Sequence, residues 1–122
     1  MKPRTLRELA GASPAFFPGA PLAAAGTAIV LIDYQHEYRA GPLALPGEAA
    51  ASATARRLRD WADRAGVAVI HVLHRAPAGA PLFGEGSPGE APLDGLAPAA
   101  GETVVYKRLP SAFTGTGLAD AL

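Results

Sequence analysis

Three runs of this sequence predict an α/β fold built on an open parallel sheet. Ala28-Ile29-Val30-Leu31-Ile32 is an unbroken apolar stretch that stops abruptly at Asp33. A helical pattern over Glu48–Ala65 leads through Gly66 directly into a second apolar run, residues 67–74. A third, residues 103–106, ends on Lys107. Short, uninterrupted β-branched and Leu-rich runs are how strands covered on both faces of a parallel sheet read. A strand, a helix and a strand in that order form a right-handed crossover, so the first two strands are expected to be parallel.

Residues 1–26 show no sustained period and are read as an N-terminal arm, with the domain proper at residues 27–122. Residues 5–10 can form one short helix, with Thr5 as cap and Glu8 as its capping-box partner, stopped by Gly11 and Pro14. Phe16-Phe17-Pro18-Gly19 is expected to be extended, its aromatics packing on the domain or on a partner subunit.

In the helix Glu48–Ala65, Ala51, Ala55, Leu58, Ala62 and Ala65 recur at spacings of three and four, with Trp61 beside them. Arg56, Arg59, Asp60, Asp63 and Arg64 are assigned to the solvent side. Gly66 is placed to take the left-handed conformation that ends a helix. Residues 76–101 hold five prolines, six glycines and no period. A connection of that length in a compact domain is usually a functional loop, and here a wall of the active site is expected. After the third strand, Thr116 is read as the cap of a helix start that the chain follows for about one turn. Three strands with one full crossover helix leave a sheet face open. The chain therefore reads as part of a domain, with apolar surface expected to stay uncovered on Ile29, Leu31, Val69 or Val104.

Lys plus Arg and Asp plus Glu number 11 each, so there is no basic field for nucleic acid. No segment has the length and apolarity of a membrane helix, and the basic N-terminus has no apolar core of signal-peptide type behind it. A soluble, cytoplasmic protein is expected. The chain has no cysteine, which rules out disulfides, a CxxC site and a cysteine nucleophile within these 122 residues.

Asp33 and Lys107 each follow a strand. In one parallel sheet both emerge at the rim of the carboxyl ends, where open α/β sheets bind their ligands. They are either a structural salt bridge or a general base held ionised by an ammonium group, and position alone leaves both readings open. His71 and His74 are three apart on a strand and point to opposite faces, so they do not chelate one ion. His71 is read as a core or helix-facing residue; His74 and His36 are candidates for lining the site. Gly115-Thr116-Gly117 lacks the context of a phosphate loop, and no G-x-S-x-G elbow is present.

Val30-Leu31-Ile32-Asp33-Tyr34-Gln35, the helix and second strand, and above all Tyr106-Lys107-Arg108-Leu109-Pro110-Ser111-Ala112-Phe113-Thr114-Gly115-Thr116-Gly117-Leu118 resemble the isochorismatase-like cysteine hydrolases, a family that includes nicotinamidases and other small amidases. The resemblance covers residues 27–122. It implies a doubly wound, three-layer α/β domain with a mainly parallel sheet, incomplete in this chain. Asp33 and Lys107 would be catalytic residues, the former activating a cysteine thiol and the latter favouring the thiolate. Tyr38 would pack against the substrate, and Gln35 would support the site as a second substrate-binding residue. Where metal-binding members carry Asp-x-His, this chain reads His74-Arg75-Ala76-Pro77, so neither metal nor cofactor is expected.

The family's cysteine falls beyond Leu122. The expected activity is hydrolysis of the C–N bond of a small amide by a homo-oligomer. The alternatives are acid-assisted hydrolysis of isochorismate, which keeps the aspartate and dispenses with the cysteine, and a non-catalytic member serving as an interaction module.

Overall fold

The computed structural model describes residues 23–122. The helix expected over residues 5–10 and the extended segment at Phe16–Gly19 lie outside the described residues. The order of elements is β1 (Ala28–Ile32), α1 (Glu37–Ala40), α2 (Glu48–Ala65), β2 (Ala68–His74), β3 (Thr103–Lys107) and α3 (Leu118–Ala121). The strands form one parallel sheet in the order β1-β2-β3, with Ile32 opposite Val72 and His74 opposite Lys107. This register aligns the carboxyl ends. It brings the residues after β1 and at the end of β3 to one rim.

The central strand β2 is buried along nearly its whole length, whereas β1 and β3 alternate in exposure. One face of the sheet carries Ile29, Leu31 and Val69 under Ala55 and Ala62 of α2, closed by Leu93 and Leu96. The opposite face carries Ile70, Val72 and Val105 under Ala112 and Leu118, with Val30 partly covered. Ile29, Leu31 and Val69 are therefore enclosed, and of the four residues on which apolar surface was expected to stay uncovered Val104 alone is partly exposed. The exposed apolar side chain of β1 is Ile32, at 44 %. Side chains alternate across a strand, and the face bearing Val30 and Ile32 is the one that lacks a long helix.

Helix α2 is bounded as its sequence predicts, and Gly66 ends it in the left-handed region (φ 68°). Its buried stripe keeps Ala55 and Ala62 of the expected one, with Ala65 packed against the core, and departs from it at Ala51, Leu58 and Trp61. Ser52, Ala55 and Ala62 face the sheet, and Leu58 and Trp61 are 44 % and 40 % exposed. The stripe passes through Arg59 instead, whose guanidinium donates to Glu102 at 2.9 Å and to the carbonyls of Gly95 and Ala97. Small residues let the helix approach closely, and the long arginine stem covers apolar surface while its head finds partners at the edge.

The 76–101 connection has no helix or strand but is anchored from beneath by Phe83, Glu90, Leu93 and Leu96, all buried. Its stretch around Gly89–Leu93 pairs with residues 34–37 through His36 N–H to Ala91 O, Glu37 N–H to Gly89 O and Leu93 N–H to Tyr34 O, each at 2.9 Å. Arg75 holds its middle, donating to Glu90 at 2.5 Å and lying 3.7 Å over the Tyr106 ring. At α3, Gly117 occupies the cap position. Thr116, one residue earlier, accepts the Leu118 N–H at 3.3 Å.

Candidate active site

The rim at the carboxyl ends is organised by Asp33. The chain leaves β1 there with φ at +62°, a left-handed conformation that a non-glycine residue rarely adopts. It is held by Asp33 N–H to Val72 O and Gln35 N–H to Asp33 O, both 2.9 Å. A strained residue kept in place by surrounding structure is a pointer to function.

Lys107 donates from Nζ to Asp33 Oδ2 at 2.8 Å and to the Pro110 carbonyl at 2.9 Å. β1 and β3 are separated by β2, about 10 Å between their axes. The long lysine side chain crosses the end of the intervening strand to close that gap, and it does so almost fully enclosed, at 4 % exposure. Asp33 Oδ1 is buried and has no hydrogen-bond partner among the described residues. One carboxylate oxygen is thus occupied by the ammonium, and the other remains a free acceptor.

Beside Asp33 opens a cavity of about 410 Å³, lined by Ile32, Tyr34, Tyr38, Leu45, Glu48 and Leu93, among others. Leu93 makes the long connection a wall of this cavity, the place expected for it. Tyr38 lies on α1 and packs against Phe83, ring centroids 5.4 Å apart; Phe83 in turn stacks on His74 at 4.5 Å. Burial, then the charges of Asp33 and Glu37, push the Tyr38 hydroxyl above the ordinary phenol value, which keeps it a proton donor near neutral pH. At the far wall, hydrogen bonds from Arg39 first and from Ser52 second hold the Glu48 carboxyl below the usual range.

Gln35 sits differently from the substrate contact expected for it. It is fully enclosed, donating to His74 O (2.8 Å) and Glu90 O (2.7 Å) and accepting from His74 N–H (2.8 Å). These bonds fasten the end of β2 and the long connection to the turn after Asp33. His74 backs Phe83, and His36 lies 3.9 Å from Asp94 beside a separate depression, so neither lines the cavity. His71 is a core residue on the α2 face, 2.8 Å from Glu102.

Sequence reasoning missed Glu37, Phe83 and the Arg39–Glu48 pair. Glu37 is buried between Gly41 and Gly89, where any Cβ would strike its carboxylate, and it accepts the Phe83 N–H at 3.4 Å. Phe83 also has a positive φ, 52°. A lone aromatic in a Pro/Gly-rich connection was the available signal.

The isochorismatase domain matches this chain over residues 27–122. The chain belongs to the isochorismatase family. It is 36 % identical over 107 residues to a secreted isochorismatase effector of Verticillium dahliae, covering 85 % of this chain and 56 % of that protein. Among solved structures it is similar to an isochorismatase from Pseudomonas putida, with TM-score 0.78 and 35 % identity over 98 % of this chain and 59 % of that one. It is similar also to N-carbamoylsarcosine amidase from Thermoplasma acidophilum, with TM-score 0.70 and 28 % identity over 79 % of this chain and 60 % of that one. The three parallel strands and α2 are thus part of the isochorismatase-like α/β fold, and the chain spans little more than half the length of these relatives.

Proposed function

We propose that this isochorismatase-family chain supplies the general base and its lysine partner to a hydrolase that cleaves the C–N bond of a small amide. The nucleophile is a cysteine thiol from outside these 122 residues, which contain no cysteine. The observation that carries the reading is the Asp33–Lys107 pair at 2.8 Å, with Asp33 Oδ1 unpartnered at the edge of a cavity.

In this mechanism Asp33 takes the thiol proton as sulfur attacks the amide carbon. The resulting tetrahedral intermediate expels the amine, which leaves with the proton returned by Asp33, and a thioester remains. Water, deprotonated by the same carboxylate, attacks the thioester; the acid departs and the proton goes back to sulfur. Lys107 stabilises each anionic stage and fixes the carboxylate. Tyr38 forms the aromatic wall against which the substrate packs, and Gln35 positions Asp33 from behind.

The relatives named isochorismatases favour the second reading, in which the aspartate protonates a vinyl ether. The Asp33–Lys107 pair at 2.8 Å, with Asp33 Oδ1 left as an unpartnered acceptor, supports the first reading, so amide hydrolysis is preferred. The test is ammonia release from nicotinamide or benzamide by a protein carrying this chain together with the remaining part of the fold. Loss of that release in Asp33→Asn and on thiol alkylation supports the assignment. Release that survives both removes it.

A further inference from the structure

Asp33 holds a left-handed backbone conformation that costs free energy, so its surroundings must impose that geometry. Part of the support comes from the sheet. The Asp33 N–H bonds Val72 O on β2, and Gln35 bonds both backbone groups of His74 at the end of the same strand. The other part comes from the long connection, where Glu90 O accepts Gln35 Nε2 at 2.7 Å. Irregular connections are more mobile than the elements they join, so this bond fixes the turn after Asp33 only if Glu90 is itself held.

Glu90 is held by Arg75. It is buried, its Oε1 accepts Arg75 Nε at 2.5 Å and its Oε2 accepts the Gly86 N–H at 3.2 Å. A buried carboxylate deprived of its cation would be left uncompensated, which ties the position of Glu90 to that of Arg75. Arg75 in turn is fixed to β3. Its N–H donates to Lys107 O at 3.0 Å, and its guanidinium lies over the ring of Tyr106, the residue before Lys107. Lys107 Nζ then reaches Asp33 Oδ2 at 2.8 Å, and Asp33 O accepts the Gln35 N–H at 2.9 Å. The contacts close a circuit that runs from Asp33 through Gln35, Glu90, Arg75 and Lys107 back to Asp33.

We infer that Arg75 and Glu90 are positioning residues, which fix the Asp33 carboxylate and the Lys107 ammonium relative to each other by holding the backbone on which each is carried. Neither side chain lines the cavity beside Asp33, so they act through the pair and not on a substrate. Glu85, 3.7 Å from Arg75 with a side chain 60 % exposed, lies outside the circuit. The inference rests on the amide-hydrolase reading only for its effect on turnover.

Amide hydrogen exchange, followed by NMR on the full-length protein, tests the positioning without any substrate. In Arg75→Ala and in Glu90→Gln the Asp33 and Gln35 amides are expected to exchange at least about tenfold faster relative to the amides of β2, and in Glu85→Gln at an unchanged rate. Glu90→Gln keeps the shape of the side chain and carries the test if Arg75→Ala does not fold. Unchanged protection of both amides in a folded variant overturns the inference. Ammonia release from benzamide measures the consequence. In either variant kcat is expected to fall about ten- to hundredfold with KM within about twofold, because small misplacements of reacting groups are costly. In an Asp33→Asn background, Arg75→Ala should lower the residual rate by less than about twofold, as expected of a residue that acts through Asp33. Normal kcat in the folded variants, a loss confined to KM, or a full additional loss on top of Asp33→Asn also overturns the inference. Faster exchange in a protein that releases no ammonia, or whose turnover is insensitive to Asp33→Asn, leaves the positioning standing and removes the amide-hydrolase reading instead.

Discussion

Two charged clusters are built into the same small sheet, and they differ in what they leave unsatisfied. On the α2 face, Glu102 Oε2 receives three donors: the Ala99 N–H at 2.7 Å, His71 at 2.8 Å and Arg59 at 2.9 Å. All three donors converge on that one oxygen, and the depression that Glu102 lines is separate from the cavity beside Asp33. At the rim, Lys107 satisfies one oxygen of Asp33 while the other stays buried and unpartnered among the described residues, in a side chain that lines the cavity. Leaving a buried acceptor unsatisfied costs about 1–3 kcal/mol, which a purely structural ion pair has no reason to bear. The contrast separates a cluster that ties elements together from one that fits the proposed catalytic pair.

Breaking the rim should give the largest effect. In a protein that also carries the family cysteine, Asp33→Asn and Lys107→Ala are each expected to lower kcat by at least about a hundredfold, with the far-ultraviolet circular dichroism unchanged. Near-normal turnover in both would return the pair to a structural salt bridge.

Breaking the other cluster should do the reverse. Glu102→Gln removes the charge that gathers Ala99, His71 and Arg59, and is expected to cost about 2 kcal/mol of stability while kcat changes less than about twofold. Thermal melting and steady-state kinetics on one preparation check both halves of this statement.

A smaller, pH-dependent effect sharpens the same distinction. Burial pushes the Glu102 carboxyl up, but the Ala99 N–H, His71 and Arg59 outweigh it and hold the group below the usual carboxylate range. A depressed folded-state value means that the stabilisation is fully present above the unfolded value. It is lost as the pH falls through the folded value. Denaturant melts between neutral pH and about pH 3 should therefore show a loss of stability that is reduced in Glu102→Gln; equal loss in both proteins would contradict the assignment.

Tyr38→Leu is expected to raise KM about five- to tenfold with little change in kcat, since it removes a binding wall and no proton carrier. The last expectation concerns the chain as a whole. With Ile32, Leu109, Phe113 and Leu122 between 44 % and 66 % exposed, and β1 at the edge of the sheet, the 122-residue polypeptide should self-associate. A 12.4 kDa monomer in sedimentation with a cooperative melt would show that it does not need a partner.

Much of this architecture is legible in the residues themselves. Strand β1, the limits of α2, its Gly66 terminator and the Asp33 and Lys107 stops all follow from local rules: apolar runs, helical spacing, and polar residues that end a buried strand. The inward turn of Arg59 on α2 did not follow, because Arg59 in isolation looks like a solvated charge. Only the return of the chain at Gly95, Ala97 and Glu102 turns it inward. Gln35 likewise reads as a site residue next to Asp33, and the structure spends its whole amide on His74 and Glu90.

The sequence alone determined the parallel α/β class, the order of its elements and the two residues whose pairing marks the rim. Those features depend on short-range periodicity and on where polar groups interrupt it. The tertiary structure decided which face of the sheet is covered, that Phe83 and Glu37 brace Tyr38, and that the two carboxylates lining the cavity beside Asp33 are each paired with a cation. These depend on contacts between residues dozens of positions apart, such as Glu37 with Phe83 or Asp33 with Lys107. The loop that joins such residues has no period from which its path could be read.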